Sequence, residues 1–149
     1  MLMKKTAILL AIFFAAFTIA KSQEDKIEES KVPKNIMQIF KEKYPTATSA
    51  KWTKTKKTYN VKFKIGKYKC FTAYNVADGK CDGASIGMSF DNLPAAVKEG
   101  FNKCEFKDCP VRDVMESSTN METLYYLYLK CDKKDKPYVA FTPAGEIKK

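Results

Sequence analysis

The stretch VPKNIMQIFKEKYP, Val32 to Pro45, is echoed by LPAAVKEGFNK, Leu93 to Lys103, and this recurrence constrains the fold more than any other feature of the chain. Each copy sets an aliphatic residue before a proline and then an aliphatic and a phenylalanine four apart: Ile36 and Phe40 in the first, Val97 and Phe101 in the second. A spacing of four puts both side chains on one face of a helix. Proline suits the first helical position, where its missing N–H costs nothing and its fixed φ helps. Each copy reads as a short helix with one apolar stripe.

Strand signals follow each helix in the same order. After the first, Pro45 stops propagation and SAKWTKT (Ser49 to Thr55) reads as a short strand. In YNVKFKI, Tyr59, Val61, Phe63 and Ile65 alternate with Asn60, Lys62 and Lys64, the period of a strand with one wet face. Gly66-Lys67 turns the chain into YKCFTAYNV, and Asp78-Gly79 turns it into KCDGASI. After the second helix, PVRDVME stands where SAKWTKT stood and ETLYYLYLK where YNVKFKI stood, while Ala144-Gly145 takes the place of Asp78-Gly79. The expectation is an α+β protein of two tandem repeats, residues 32–88 and 89–149, each with one helix packed on an antiparallel sheet of about four strands. A unit of about sixty residues buries too little surface to be comfortable alone, so two would share an interface.

The first residues belong to a different kind of segment. Lys4 and Lys5 precede an uncharged apolar run from Ala7 to Ala20 and then small residues, the three-part pattern of a secretory signal peptide. The run is short of the ~20 residues of a spanning helix, which favours cleavage, after Ser22 or after Ala20, over a retained anchor. Residues 1–22 are assigned to that peptide. Without Lys4, Lys5 and Lys21 the chain carries 24 basic against 17 acidic side chains, net +7. QEDKIEESK, residues 23–31, has one large apolar residue and is expected to be a flexible acidic leader, with order beginning near Val32.

Taken together, VPKNIMQIFKEKYPTATSAKW, the alternating strand and TAYNVADGK resemble the PepSY-like periplasmic proteins, whose fold is similar to beta-lactamase-inhibitor protein. The resemblance is carried by Pro33, Phe40, Tyr44-Pro45, Trp52, Tyr59, Val61, Phe63, Asp78 and Gly79 and covers about Val32 to Ile147. In the second unit Cys104-Glu105-Phe106 replaces the tyrosine-proline pair and no tryptophan follows. The resemblance implies a helix laid on a four-stranded antiparallel sheet, twice, side by side, in a protein that restrains an enzyme by binding it.

The residues present offer little to catalysis. The chain has no histidine, which removes the usual general base and the commonest metal ligand. It shows no Gly-rich phosphate loop and no nucleophile elbow, and its Asp78 and Asp82 belong to turns. A non-enzyme without cofactor is expected. Export would carry the five cysteines into an oxidising compartment, where pairing is the default. Cys104 and Cys109, flanking one tight connection, are the first choice for a disulfide. Cys70 and Cys81 are the second, though a two-residue turn at Asp78-Gly79 would set Val76 opposite Cys81 and require a bulge or a slipped register. Cys131, beside the charged turn DKKDK, is the candidate unpaired thiol. The alternative function, a thiol-dependent redox or metal-handling protein, would use it, although no Cys-X-X-Cys is present.

The strand TLYYLYLK is apolar on both faces, with Tyr125, Leu127 and Leu129 on one and Leu124, Tyr126 and Tyr128 on the other. Either the second face packs within the protein or it binds a partner. Tyr126 and Tyr128 are the candidate anchors for a protein partner, with Tyr74 and Trp52 as further candidates from the first unit. The basic balance resides in scattered lysines and a single arginine, Arg112, which argues against nucleic-acid reading and leaves acidic envelope polymers or acidic proteins as charge-matched partners.

Overall fold

The computed structural model describes residues 24–131 and 138–148. The proposed signal peptide at 1–22 and the DKKDK run expected as a charged turn lie outside them. The elements run β1 (Asp25–Ile27), α1 (Lys34–Lys43), β2 (Ala47–Lys54), β3 (Thr58–Ile65), β4 (Tyr68–Asn75), β5 (Cys81–Met88), α2 (Ala95–Lys103), β6 (Val111–Thr119), β7 (Thr123–Leu129) and β8 (Tyr138–Phe141). The fold is α+β: among the described residues, two α-helices and one open antiparallel sheet of eight strands in sequential order. The halves are not separate sheets, because β5 pairs with β6 over six residues, from Gly83↔Thr119 to Met88↔Val114. The second half has three strands among the described residues, and beyond β8 its pairing reduces to one bridge, Phe141↔Ile147.

Both helices begin at their prolines, which serve as N-caps and not as first helical residues. Pro33 and Pro94 share φ −53°, with extended ψ of 137° and 143°, so each ring sets the turn of entry. Their carbonyls accept the Met37 and Lys98 N–H groups at 3.0 and 3.1 Å.

The register decides which face the helices cover. Phe63 stands opposite Cys70, Cys70 opposite Ile86, Ile86 opposite Glu116, Glu116 opposite Tyr125 and Tyr125 opposite Phe141, a row on one face across six strands. Phe40 of α1 meets Phe63 ring to ring at 5.1 Å, and Phe101 of α2 meets Phe141 at 6.5 Å. Both helices therefore lie on the same face. Beneath α1 the core gathers Val32, Ile36, Phe40, Trp52, Val61 and Phe63; beneath α2 it gathers Leu93, Val97, Phe101, Val114, Leu127 and Phe141.

The acidic segment at 23–31 was expected to be a flexible leader, and the structure corrects this for its described residues, 24–31. Asp25–Ile27 forms β1 on the edge of β2, with Asp25 opposite Lys54 and Ile27 opposite Trp52. Ile27 packs against the first core, and Glu24 accepts hydrogen bonds from Thr53 at 2.5 Å and Asn60 at 3.4 Å. One aliphatic side chain and a free strand edge suffice to order the segment, which also covers that edge.

Two turns press glycines against the helices. Gly79 (φ 71°) and Gly145 (φ 83°) both lie in the left-handed region. A Cβ on Gly79 would come 2.8 Å from Asn35 Nδ2 and 3.4 Å from Ile36, whereas one on Gly145 would collide with the backbone carbonyl of Ala96. An amide side chain can swing away and a helix carbonyl cannot. Gly145→Ala should therefore lower stability more than Gly79→Ala in denaturant melts, each costing more than the ~1 kcal/mol that alanine gains where the backbone accepts it. Phe40→Ala and Phe101→Ala, which empty the buried anchors of the two helices, should each cost about 3–5 kcal/mol in the same assay; a loss below about 1 kcal/mol would contradict the packing described.

Candidate functional site

Side chains alternate across a strand, so the residues between the core rows form a second face that no described helix covers. Its middle row runs from Lys64 to Lys69 and then from Gly87 to Met115, Tyr126 and Ala140. This face has three zones. Lys51, Lys62, Lys64 and Lys69, all exposed, occupy the β2–β4 end. Tyr126, Tyr128 and Tyr138 occupy the β7–β8 end. Between them, β5 contributes only Gly83, Ser85 and Gly87, so the surface dips.

At the aromatic end, Tyr138 is 46% exposed and its ring lies 5.5 Å from Tyr126 and 5.8 Å from Tyr128. The Arg112 guanidinium lies 5.8 Å from the Tyr128 ring and bonds Asp113 at 2.7 Å. Tyr126 and Tyr128 are half-buried, each with its ring against Tyr138, while Leu124 is buried. Tyr138, Met115 and Phe71 belong to the surface and were missed as candidates. Tyr138 could have been found by pairing PYVAF against TLYYLYL, which sets Tyr138 opposite Tyr128. At the dip, a Cβ on Gly87 would fall 2.9 Å from the Lys69 carbonyl oxygen and 3.1 Å from Tyr68 Cβ. Beside that glycine lies a depression of 710 Å³ whose border takes in Lys69, Arg112 and Tyr128 from this face and Tyr68 and Phe90 from the helix-covered side.

Trp52 and Tyr74, expected as further binding residues, are core residues. Trp52 pairs with Val61 and Tyr74 with Tyr59, which places both under α1; they are 4% and 0% exposed, with stacked rings 6.2 Å apart. Burial raises the phenols of Tyr44, Tyr74 and Tyr125 above the ordinary tyrosine range. They stay neutral near pH 7.

The cysteine assignments also change. The disulfide joins Cys109 to Cys131, with Cα atoms 5.4 Å apart, and Cys70, Cys81 and Cys104 are free. The expected Cys104–Cys109 bridge does not form and Cys131 is not the unpaired residue. The reason is a bulge: β6 and β7 pair as Val114↔Leu127 but as Val111↔Leu129, a shift of one residue at Arg112. Lys130 N–H then donates to the Pro110 carbonyl at 2.8 Å, and the next pair outward is Cys109 opposite Cys131. Cys104 instead caps α2, buried in the core. The Cys70–Cys81 bridge fails because Cys81 stands opposite Tyr74 and Cys70 opposite Ile86. Tyr74 lies four residues from Cys70, roughly 13 Å of strand, beyond disulfide reach. Burial raises the Cys70 thiol, which suppresses its thiolate. Among the described residues no group of three or more cysteine, aspartate or glutamate side chains is gathered to hold a metal.

Comparison with known proteins finds likeness in structure only. No protein-family model and no curated protein matches the chain. A DUF2874 family protein from Bacteroides ovatus is similar at 22% identity with a TM-score of 0.61, over 78% of this chain and 84% of that one. A BLIP-like protein from Bacteroides fragilis is similar at 20% identity with a TM-score of 0.60, over 78% and 83%. A proposed periplasmic protein from Bacteroides eggerthii is similar at 23% identity with a TM-score of 0.60, over 77% and 84%. At these identities the likeness shows the fold, which is BLIP-like.

Thiol titration tests the cysteine assignment: three thiols should react in denaturant without reductant and five after reduction. Cys131→Ser should lower stability by about 2–4 kcal/mol, the usual effect of releasing such a loop, and Cys104→Ser should leave the disulfide intact.

Proposed function

We propose that this protein is an exported, non-catalytic binding module whose open sheet face holds a protein partner, acting as an inhibitor or regulator of an envelope or secreted enzyme. The observation that carries this reading is the tyrosine cluster of Tyr126, Tyr128 and Tyr138, on a face that no described helix covers. Tyrosine offers broad apolar contact together with a hydroxyl that water can serve between encounters. The flanking guanidinium of Arg112 adds a group enriched at protein interfaces. The glycine and serine side of β5 lowers the surface beside the rings, so a protruding partner residue can seat against them.

The remaining sequence readings belong to the same proposal. Residues 1–22 act as a cleaved signal peptide, and the mature chain is periplasmic or secreted. The Cys109–Cys131 disulfide and the proposed periplasmic location of a structural neighbour support that compartment. Among the described residues no helix is long and apolar enough to cross a membrane. Residues 32–88 and 89–149 are read as tandem PepSY-like units. Their support is the shared geometry at Gly79 and Gly145, which press on Ile36 in α1 and on the Ala96–Val97 turn of α2, equivalent points of the two helices. The neighbour named BLIP-like supports binding as the mode of action.

The test is capture of a partner from envelope extract by the immobilised mature chain. Tyr126→Ser together with Tyr128→Ser should abolish capture with little change in melting temperature, because these side chains lie outside both cores. A folded double variant that captures the same partner undiminished would defeat this reading.

A further inference from the structure

The lysines of the open face stand where repulsion is greatest. Lys51 is directly opposite Lys62 across β2 and β3, and Lys64 is directly opposite Lys69 across β3 and β4. Directly opposed like charges on one sheet face destabilise the pair of strands. Elsewhere lysines find carboxylates: Lys41 meets Glu29 at 3.2 Å and Lys148 meets Glu122 at 2.6 Å. Among the described residues none of the four has a carboxylate within ion-pairing distance. The Glu24 carboxylate accepts from Thr53 and Asn60, which together with the nearby Lys62 charge hold it below the usual carboxylate range, but it lies beyond ion-pairing distance of Lys62.

A strained bulge builds this cluster. β2 pairs as Thr48↔Lys64 before the bulge and as Lys51↔Lys62 after it, a shift of one residue, with Ser49 held at φ 56°. Without the shift Lys51 would take the place opposite Val61, on the helix-covered face. The left-handed serine thus delivers Lys51 to the open face while turning Trp52 into the core. The four lysines surround a shallow hollow of 490 Å³ whose apolar lining includes Phe71 and Met115.

We propose that this hollow receives an acidic, extended segment of the partner protein. The inference rests on the open face being the binding surface, and it names the chemistry recognised there. Alternate side chains of an extended segment lie roughly 6.6 Å apart and neighbouring strands roughly 4.8 Å apart, so a segment crossing the strands can follow the row Lys64, Lys69, Gly87, Met115. Two carboxylates at its first alternate positions would neutralise the ammoniums of Lys64 and Lys69, with Lys51 and Lys62 beside them, and apolar residues continuing past Gly87 would meet Met115, with Phe71 alongside. An anionic polymer would satisfy the charge and leave the apolar lining and the adjacent tyrosines unused. The charge cluster also steers encounter, which makes association sensitive to salt.

The probe is a short synthetic peptide whose alternate positions are glutamate, glutamate, leucine and leucine with threonine between, titrated calorimetrically into the mature chain at low salt. Binding should weaken at least roughly tenfold in Lys62→Gln/Lys64→Gln, weaken with added sodium chloride, and vanish when glutamine replaces glutamate in the peptide. Lys34→Gln/Lys107→Gln, the same change of charge elsewhere, should leave it unaltered. The melting temperature of Lys62→Gln/Lys64→Gln should hold or rise, since repulsion is relieved; a fall would assign these lysines to the fold and overturn the inference. Absence of peptide binding, equal loss in both double variants, or tighter binding of a sulfated polysaccharide through the same lysines would also overturn it. If the peptide fails while partner capture through Tyr126 and Tyr128 persists, only the acidic-segment inference falls. Failure of both removes the binding reading as well.

Discussion

The pairing of β5 with β6 is the contact on which the rest of the molecule depends. Neither half has enough apolar surface to be secure alone, and the helices do not supply the join: the core beneath α1 and the core beneath α2 are separate clusters. Backbone hydrogen bonds between the two strands make one sheet of the halves, and the register Ile86↔Glu116 puts both helices on the same side. A slip of one residue at this seam would send α2 to the opposite face. The open face exists because the seam is in this register, so the fold and the candidate binding surface have a common origin.

The sequence shows most plainly what depends on period and least what depends on register. The helices, the strand Tyr59 to Ile65 and the division of Tyr125, Leu127 and Leu129 from Tyr126 and Tyr128 are local properties of alternation, and the structure has them. Trp52 and Tyr74 were misplaced because an aromatic residue in a strand points to either face according to one residue of phase, and a bulge at Ser49 sets that phase for Trp52. The disulfide was misread for the same reason: closeness in sequence favours Cys104 with Cys109, while a bulge at Arg112 brings Cys109 to Cys131, 22 residues away. The leader failed on different grounds. Composition measures what a segment can bury by itself, and β1 gains its order from an edge already made by β2.

Bulges therefore do more here than relieve a sheet of eight strands. The one in β2 moves a lysine outward and a tryptophan inward, and the one in β6 aligns a disulfide at the end of the strand pair that carries the tyrosines. That disulfide ties β6 and β7 together next to Tyr128, which limits fraying at the aromatic end of the face. Preorganised side chains lose less entropy on binding than mobile ones.

The two ends of the open face are unlike in a way that folding alone does not require. A sheet face left in water is served well enough by the polar residues of β3, and the tyrosines of β7 add apolar area there that no described element covers. Conversely, the opposed lysines cost stability that a glutamate in place of either member would recover. Each end departs from the best solution for an isolated sheet in the direction that favours a different kind of contact: apolar and aromatic at β7–β8, cationic at β2–β4. The small residues of β5 between them keep the two ends accessible to one body. A partner with an apolar projection and an acidic strand side by side would satisfy both departures at once, and neither a purely apolar nor a purely anionic ligand would.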